Sequence, residues 1–136
     1  MERLRQCLSK WPPLVFTVIT LGAILWLTLI PDPLGDDMPP LFPGADKIVH
    51  AIMFGGLTVM MLFDFQRKSE WRPTSWHIAL AAAFFSLLIG VGVEIAQLTM
   101  DLGRGFEYAD MAADAAGAFL FAICWQLCQR FWLPEK

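Results

Sequence analysis

Charged side chains are almost absent from four long stretches of this 136-residue chain. The first stretch lies between Pro13 and Pro31 and reads LVFTVITLGAILWLTLI. A helix of this length measures about 26 Å, which just spans the hydrocarbon core of a bilayer. Charged residues make up only 17% of the sequence and hydrophobic residues 57%, a composition that is not typical of a soluble globular protein. The pattern excludes a disordered chain and a disulfide scaffold, and it predicts a small membrane protein.

The four stretches predict four transmembrane helices within a single domain that covers residues 1–136. The predicted helices cover residues 14–30, 48–63, 75–98 and 108–131. Basic residues before the first stretch also fit a signal peptide, but no A-x-A cleavage pattern follows, and we interpret the stretch as an uncleaved helix. The predicted fold class is therefore all-α, a polytopic four-helix bundle.

Loop charges predict the orientation of this bundle. Eight of the ten basic residues fall on one side of a four-helix chain: Arg3, Arg5, Lys10, Arg67, Lys68, Arg72, Arg130 and Lys136. Nine of the thirteen acidic residues fall on the opposite side. Because basic loops remain in the cytoplasm, both termini are predicted to be cytoplasmic. The net charge of −3, without a basic stripe, argues against nucleic acid as a partner.

Ionisable and amide residues gather at the outer ends of the last three predicted helices and in the adjoining loop. They are Asp46, Lys47, His50, Glu94, Gln97, Arg104, Asp110 and Asp114. The spacing is three or four positions within each of three pairs, so each pair shares a helix face: Asp46 with His50, Glu94 with Gln97, and Asp110 with Asp114. Because a carboxylate is costly inside a membrane, Glu94 and Asp114 are expected to face the bundle. With His50 neutral the charged members sum to −2, which a divalent cation, bound protons or a cationic ligand must offset.

The chemistry of these side chains suggests two groups. The candidate catalytic residues, which are also the candidate ligands of a divalent cation such as Mg²⁺, Mn²⁺ or Zn²⁺, are His50, Glu94, Asp110 and Asp114. The candidate ligand-binding residues are Asp46, Lys47, Gln97 and Arg104. Lys47 and Arg104 would hold an anionic group, with Arg104 as the bidentate member. The structural alternative is that the polar pairs only link helices and that His50 is a satisfied core histidine.

The remaining polar and small residues receive structural interpretations. The three cysteines, Cys7, Cys124 and Cys128, are expected to be free, buried thiols. Asp64 and His77 are expected to be solvated or interfacial residues at the cytoplasmic ends. Small residues, including Gly90 and Gly117, predict close packing of the third and fourth helices. No nucleophile is paired with His50, so an enzyme of this sequence would use activated water.

Spaced motifs give the polar residues a resemblance to a known family. The motifs are D-K-x-x-H, E-x-x-Q, and R followed by D-x-x-x-D-x-x-G; their residues are Asp46, Lys47, His50, Glu94, Gln97, Arg104, Asp110, Asp114 and Gly117. The chain resembles the VanZ-like family over about residues 14–130. Asp114 is a departure, because the family pattern usually has asparagine there, and it adds a negative charge. The resemblance implies a small bacterial integral membrane protein of the cell envelope, located in the inner membrane. The namesake of the family is associated with resistance to teicoplanin.

Three functions are compatible with these observations. The first is an envelope protein whose outer pocket binds or modifies a lipid-linked or phosphorylated molecule, with a cell-wall precursor or a glycopeptide as the candidate partner in addition to membrane lipids. The second is a non-enzymatic protein that shields or binds a partner in cell-wall synthesis, with the polar cluster as a structural network. The third, a transporter, requires a polar path to the cytoplasm, and the inner halves of the predicted third and fourth helices offer almost none.

Overall fold

The computed structural model describes residues 2–30, 42–100, 107–131 and 133. Within these ranges the chain forms helices and no strand, which confirms the all-α prediction. The helices are α1 (Glu2–Ser9), α2 (Val15–Leu29), α3 (Ala45–Lys68), α4 (Trp76–Met100) and α5 (Tyr108–Cys128), the last continued by a 3₁₀ turn (Gln129–Phe131). Arg104 lies outside the described residues.

Three of the helices are long and apolar enough to cross a membrane: Ala45–Lys68, Trp76–Met100 and Tyr108–Phe131. The first predicted span corresponds to α2, which is apolar but has only 15 residues. A complete crossing takes about 20 residues. The length and composition of the described helices therefore support a membrane protein with three full-length spans and one shorter apolar helix.

The largest difference from the predicted helix bounds occurs in α3, which extends beyond residues 48–63 at both ends. Gly44 adopts a left-handed conformation, with φ of 86°, immediately before the helix, and Asp46 lies in the first turn. Arg67 and Lys68 lie in the last turn, where cations interact favourably with the helix dipole. The charged residues that end the apolar stretch therefore continue the helix.

Hydrogen bonds between distant residues establish an up-and-down bundle. Gln97 near the end of α4 reaches Thr28 near the end of α2, and Thr17 near the start of α2 reaches Asp64 near the end of α3. Helix α5 runs parallel to α3 and packs against both α3 and α4. We call the end that contains the starts of α3 and α5 the His50 end, and the opposite end the Arg67 end.

Small residues bring α5 close to its neighbours. A Cβ atom at Gly117 would collide with the backbone carbonyl of Ala51 on α3, and a Cβ atom at Gly55 would lie 2.6 Å from the ring of Phe121. A small residue also joins α4 to α3, because the Ser86 hydroxyl donates to the Phe54 carbonyl at 2.8 Å. The predicted contact between the third and fourth spans is present, since α4 packs against α5, but Gly117 serves the contact with α3.

Large apolar side chains cover the outside of this bundle. Examples at least 49% exposed are Val18, Ile52, Phe84, Phe85, Leu88, Leu98, Leu120 and Leu127. Such a surface fits lipid rather than water. The three cysteines are free, as expected, but all three are exposed. The expectation that they are buried was wrong, because Cys124 and Cys128 lie on an outward face of α5.

A buried ion pair stabilises the Arg67 end. Asp64 is 1% exposed and accepts a hydrogen bond from Arg67 at 2.6 Å and two more from Thr17 at 2.9 Å. Arg67 also donates to the backbone carbonyls of Leu8, Trp11 and Pro12. The interpretation of Asp64 as a solvated residue was therefore wrong: the residue joins the ends of α2 and α3. His77 is exposed, as expected.

The interior between the two ends is apolar in the described part of the chain. Ile24, Phe54, Leu57 and Val93 form one buried cluster, and a second contains Leu62, Ala79, Ala82, Ala83, Ala118, Ala122 and Trp125. The buried hydroxyls of Thr58 and Ser86 both donate to the carbonyl of Phe54. Both hydroxyls are therefore bonded to one backbone carbonyl within largely apolar surroundings.

Candidate functional site

A histidine–aspartate pair joins α3 to α5 at the His50 end. His50 lies in the second turn of α3 and Asp114 in the second turn of α5, and Nδ1 of His50 lies 2.9 Å from Oδ1 of Asp114. Both side chains are buried. Gly90 on α4 provides room for the carboxylate, because a Cβ atom there would lie 2.6 Å from Oδ2 of Asp114.

The third helix of the site, α4, contributes Glu94, which is 0% exposed. Its Oε2 accepts a hydrogen bond from the backbone N–H of Glu107 at 3.2 Å. Its Oε1 is buried and has no hydrogen-bond donor among the described residues. The same holds for Oδ2 of Asp114. Oδ1 of Asp110 also lacks a hydrogen bond, although it lies 3.2 Å from Nζ of Lys47, so three carboxylates at this end each present one oxygen without a hydrogen-bond donor.

Asp110 completes a compact group with His50 and Glu94. Its Oδ2 lies 4.0 Å from Nε2 of His50. One ligand atom from each of the three residues lies within 4.8 Å of the others. The group draws one residue from each of α3, α4 and α5, so the bundle itself positions it.

Lys47 forms the rim of the site and is surrounded by carboxylates. Its Nζ lies 2.7 Å from Asp46, 3.0 Å from Glu107 and 3.2 Å from Asp110. Asp46 and Glu107 are exposed, whereas the side chain of Asp110 is only 14% exposed. The three acidic neighbours offset the lysine charge, so the described part of the site has an excess of negative charge.

Two predicted members of the site differ from the rest. Gln97 does not join the histidine cluster; its Nε2 donates to the carbonyl of Thr28 at 2.9 Å and links α4 to α2. Arg104 lies outside the described residues, so its predicted role stays a prediction. The other six candidates, Asp46, Lys47, His50, Glu94, Asp110 and Asp114, lie together at the His50 end.

Glu107 is the residue that sequence reasoning missed. It contacts Lys47 through its carboxylate and Glu94 through its backbone N–H, and it immediately precedes α5. The sequence carried one signal: an acidic residue directly before a helix that itself begins with Asp110. In the sequence Glu107 contributes only to the charge of the predicted outer loop, because the residues that it contacts, Lys47 and Glu94, lie on other helices.

The arrangement is chemically suited to proton transfer or cation binding. The hydrogen bond to Asp114 fixes the orientation of the His50 ring, and the second ring nitrogen faces Asp110. Histidine and carboxylate groups are the usual acids, bases and ligands of hard or borderline cations. The Ser86 hydroxyl is bonded to a backbone carbonyl in the packed interior, so it is not available to this cluster.

Fold and site together define a small all-α protein with membrane-type helices and a buried histidine–carboxylate cluster at one end of its bundle. The model of the VanZ/LLP1 family matches residues 10–129, and the chain belongs to that family. The match includes all eight of the candidate site residues. No curated protein and no solved structure shows significant similarity to the chain.

Proposed function

We propose that this chain is a four-span protein of the bacterial inner membrane whose polar site opens to the outer leaflet and binds or modifies a lipid-linked or phosphorylated envelope molecule. Family membership and three membrane-type helices support the membrane setting. The fourth span in this proposal is α2, and both termini are cytoplasmic. The basic residues of the predicted inner loops support that orientation.

One observation carries the proposal of a binding site: buried carboxylate oxygens at the His50 end lack protein donors. Oε1 of Glu94 and Oδ2 of Asp114 are both in this state among the described residues. A network that serves only to join helices gains most when its buried polar atoms are paired. Oxygens without donors, close to a histidine and to a half-buried lysine, are better suited to an exchangeable ligand.

The proposed roles follow from the position of each side chain. His50 and Glu94 act as acid and base toward a head group or a water molecule, and Asp114 orients His50. Lys47 and Arg104 hold the anionic part of the ligand, with Lys47 leaving its carboxylate neighbours when the ligand enters. A lipid-linked cell-wall precursor has the required anionic group and reaches the site from the membrane. A link to teicoplanin resistance is part of this proposal and rests on the family alone.

A second function is favoured by a specific set of contacts. Lys47 already has three carboxylate partners, and Gln97 bonds a backbone carbonyl of α2. In this alternative the polar residues only join helices, and the outer surface shields or binds a partner in cell-wall synthesis. Variants such as Glu94→Gln would then reduce folding together with any phenotype.

The first test measures lipid binding by the purified full-length protein in detergent. Native mass spectrometry compares a polyprenyl phosphate with the polyprenol that has the same chain and no phosphate. We expect a complex with the phosphate lipid only, because the proposed site recognises an anionic group. Lys47→Gln and Arg104→Gln are expected to weaken the complex about tenfold, the equivalent of about 1.4 kcal/mol.

Arg72→Gln is the matched control for this experiment, since Arg72 is an exposed arginine near the Arg67 end, paired with Glu70 at 3.5 Å. It should leave lipid binding unchanged. Equal binding of the two lipids, or equal effects of Arg72→Gln and Arg104→Gln, would contradict the proposal. A reporter at the N-terminus and reporter fusions after residues 35 and 70 test the topology: we expect cytoplasmic, outer and cytoplasmic locations respectively. A shared location for the N-terminal reporter and the fusion after residue 35 would refute α2 as the fourth span.

A further inference from the structure

We propose that His50, Glu94 and Asp110 form a divalent-cation site, and that Asp114 positions His50 without itself binding the ion. The inference deepens the proposed function and rests on it in one respect: the cation occupies the same site as the phosphorylated ligand. The binding of the ion itself depends only on the contacts described above and is measurable without any lipid.

The free atoms of the three residues point to the ligand set. Nδ1 of His50 is bonded to Asp114, which leaves Nε2. Oε2 of Glu94 is bonded to the Glu107 backbone, which leaves Oε1. Oδ1 of Asp110 faces Lys47, which leaves Oδ2, the atom that lies 4.0 Å from Nε2 of His50. The remaining atoms are one nitrogen and two oxygens, contributed by three different helices.

Glu94 supplies the independent evidence for a ligand. The residue is fully buried, and its Oε1 has no donor among the described residues, although one of its oxygens lies within 4.8 Å of ligand atoms of His50 and Asp110. A buried carboxylate oxygen without a partner is costly, especially beside a second carboxylate. A cation that binds both carboxylates removes this cost for both residues.

Asp114 has the geometry of a residue that orients a metal-binding histidine. Histidine ligands usually donate their second ring N–H to a carboxylate, which fixes the tautomer and leaves the other nitrogen free to bind. The 2.9 Å contact between Nδ1 of His50 and Oδ1 of Asp114 is of this kind. Asp114 is therefore assigned to positioning, although its charge also favours a cation nearby.

The site contains two groups of three possible metal ligands, and they differ in burial and in their contacts with Lys47. The exposed group, formed by Asp46, Glu107 and Asp110, surrounds the ammonium of Lys47. In the buried group, formed by His50, Glu94 and Asp110, only Asp110 contacts a lysine or arginine side chain among the described residues, through Oδ1 at 3.2 Å from Nζ of Lys47. Lys47 contacts all three carboxylates of the exposed group, so we assign the divalent cation to the buried group.

Ligand chemistry and spacing narrow the class of ion. In octahedral coordination the ligand atoms are about 3 Å apart when adjacent and about 4.2 Å apart when opposite. The observed 4.0 Å between Nε2 of His50 and Oδ2 of Asp110 is close to the separation of opposite ligands. One imidazole with two carboxylates suits Mn²⁺ or Zn²⁺. Three protein ligands leave positions for water or for a phosphate oxygen, which connects the ion to the proposed ligand.

The experiment uses full-length protein in detergent, treated with a chelator and then titrated with Mn²⁺ alone. Electron paramagnetic resonance distinguishes free from bound Mn²⁺, and pulsed measurements detect a directly bound nitrogen. We expect one bound ion with a coordinated nitrogen, displaced by Zn²⁺. Glu94→Gln and His50→Gln should lower the affinity for Mn²⁺ at least tenfold, and His50→Gln should abolish the nitrogen signal. Asp114→Asn should lower the affinity about tenfold or more while the nitrogen signal persists.

Glu70→Gln is the matched control, because Glu70 is an exposed carboxylate near the Arg67 end, and it should leave Mn²⁺ affinity within a factor of about two. Asp46→Asn tests the exposed group: retained binding supports the assignment, whereas loss of binding would move the ion to the exposed group and overturn it. Wild-type protein that binds no Mn²⁺ at millimolar concentration also overturns it, without reference to any variant. Mn²⁺ binding without phosphate-lipid binding would support the cation site and contradict the proposed function. Phosphate-lipid binding that a chelator does not affect, by protein that binds no Mn²⁺, would support the proposed function and contradict the cation site.

Discussion

Gly90 of α4 lies so close to Asp114 of α5 that a Cβ atom at position 90 would be 2.6 Å from Oδ2 of the carboxylate. The other oxygen of the same carboxylate is bonded to His50. Asp114 is therefore held between a histidine on α3 and a glycine on α4. Packing of the three helices and orientation of the histidine depend on the same side chain.

Gly90→Ala is expected to displace Asp114 and weaken its bond to His50. We expect a loss of about 1–3 kcal/mol in the free energy of unfolding, because a methyl group is forced into a packed interior. Denaturant unfolding in detergent measures this loss. Gly92→Ala is the control on the same helix, since a Cβ atom there has no neighbour within 4 Å. Equal stability of the two variants would show that α4 is less close to Asp114 than described.

Gly117→Ala is expected to separate α5 from α3. The added methyl group meets the backbone of Ala51, which cannot rotate away as a side chain could. We expect a larger loss of stability than for Gly90→Ala, with much of the protein aggregated on size-exclusion chromatography. Gly56→Ala is the control, because position 56 on α3 is open. A monodisperse Gly117→Ala variant with wild-type thermal stability would contradict the close contact.

Gln97→Leu separates the structural role of Gln97 from a role in binding. The carbonyl of Thr28 lies in the last turn of α2, where carbonyls lack partners within the helix, and Gln97 donates to it. We expect a loss of about 1 kcal/mol in unfolding free energy, the usual size of one such bond between membrane helices. Mn²⁺ affinity should be unchanged. A tenfold loss of affinity would return Gln97 to the binding site, where the sequence motif had placed it.

The sequence predicted the parts of the fold that depend on composition along one helix. Apolar stretches located α2 to α5, and the spacing of Asp110 and Asp114 predicted a shared helix face. The extension of α3 to Lys68 escaped prediction, because a charged residue ends an apolar run without ending a helix. The position of Asp64 escaped for a related reason: Arg67 is three residues away on the same helix, but the partner Thr17 becomes visible only when α2 and α3 are side by side.

The positions of polar residues within the apolar helices predicted the juxtaposition of one group of candidate residues. His50, Glu94 and Asp110 lie together because exposing an ionisable side chain to lipid is unfavourable, so such side chains in apolar helices face the bundle interior. Gln97 shows the limit of this reasoning, since a polar residue three positions from Glu94 turned out to serve a different helix pair. Glu107 shows the same limit from the other side, because its contribution comes partly from a backbone N–H.

The ion pair at the Arg67 end provides the last prediction. The side chains of Asp64 and Arg67 are completely buried. Arg67 also donates to three backbone carbonyls: that of Leu8 in the last turn of α1, and those of Trp11 and Pro12 between α1 and α2. Removal of one partner leaves a buried charge without its counterion, so Asp64→Asn should lower the free energy of unfolding by about 3 kcal/mol. Hydrogen exchange at residues 2–12 should also become faster, because Arg67 no longer holds this segment in place. Glu70→Gln removes an exposed partner of Arg72 and should change neither measurement. If Asp64→Asn behaves like Glu70→Gln, the pair is open to water and does not join α1, α2 and α3.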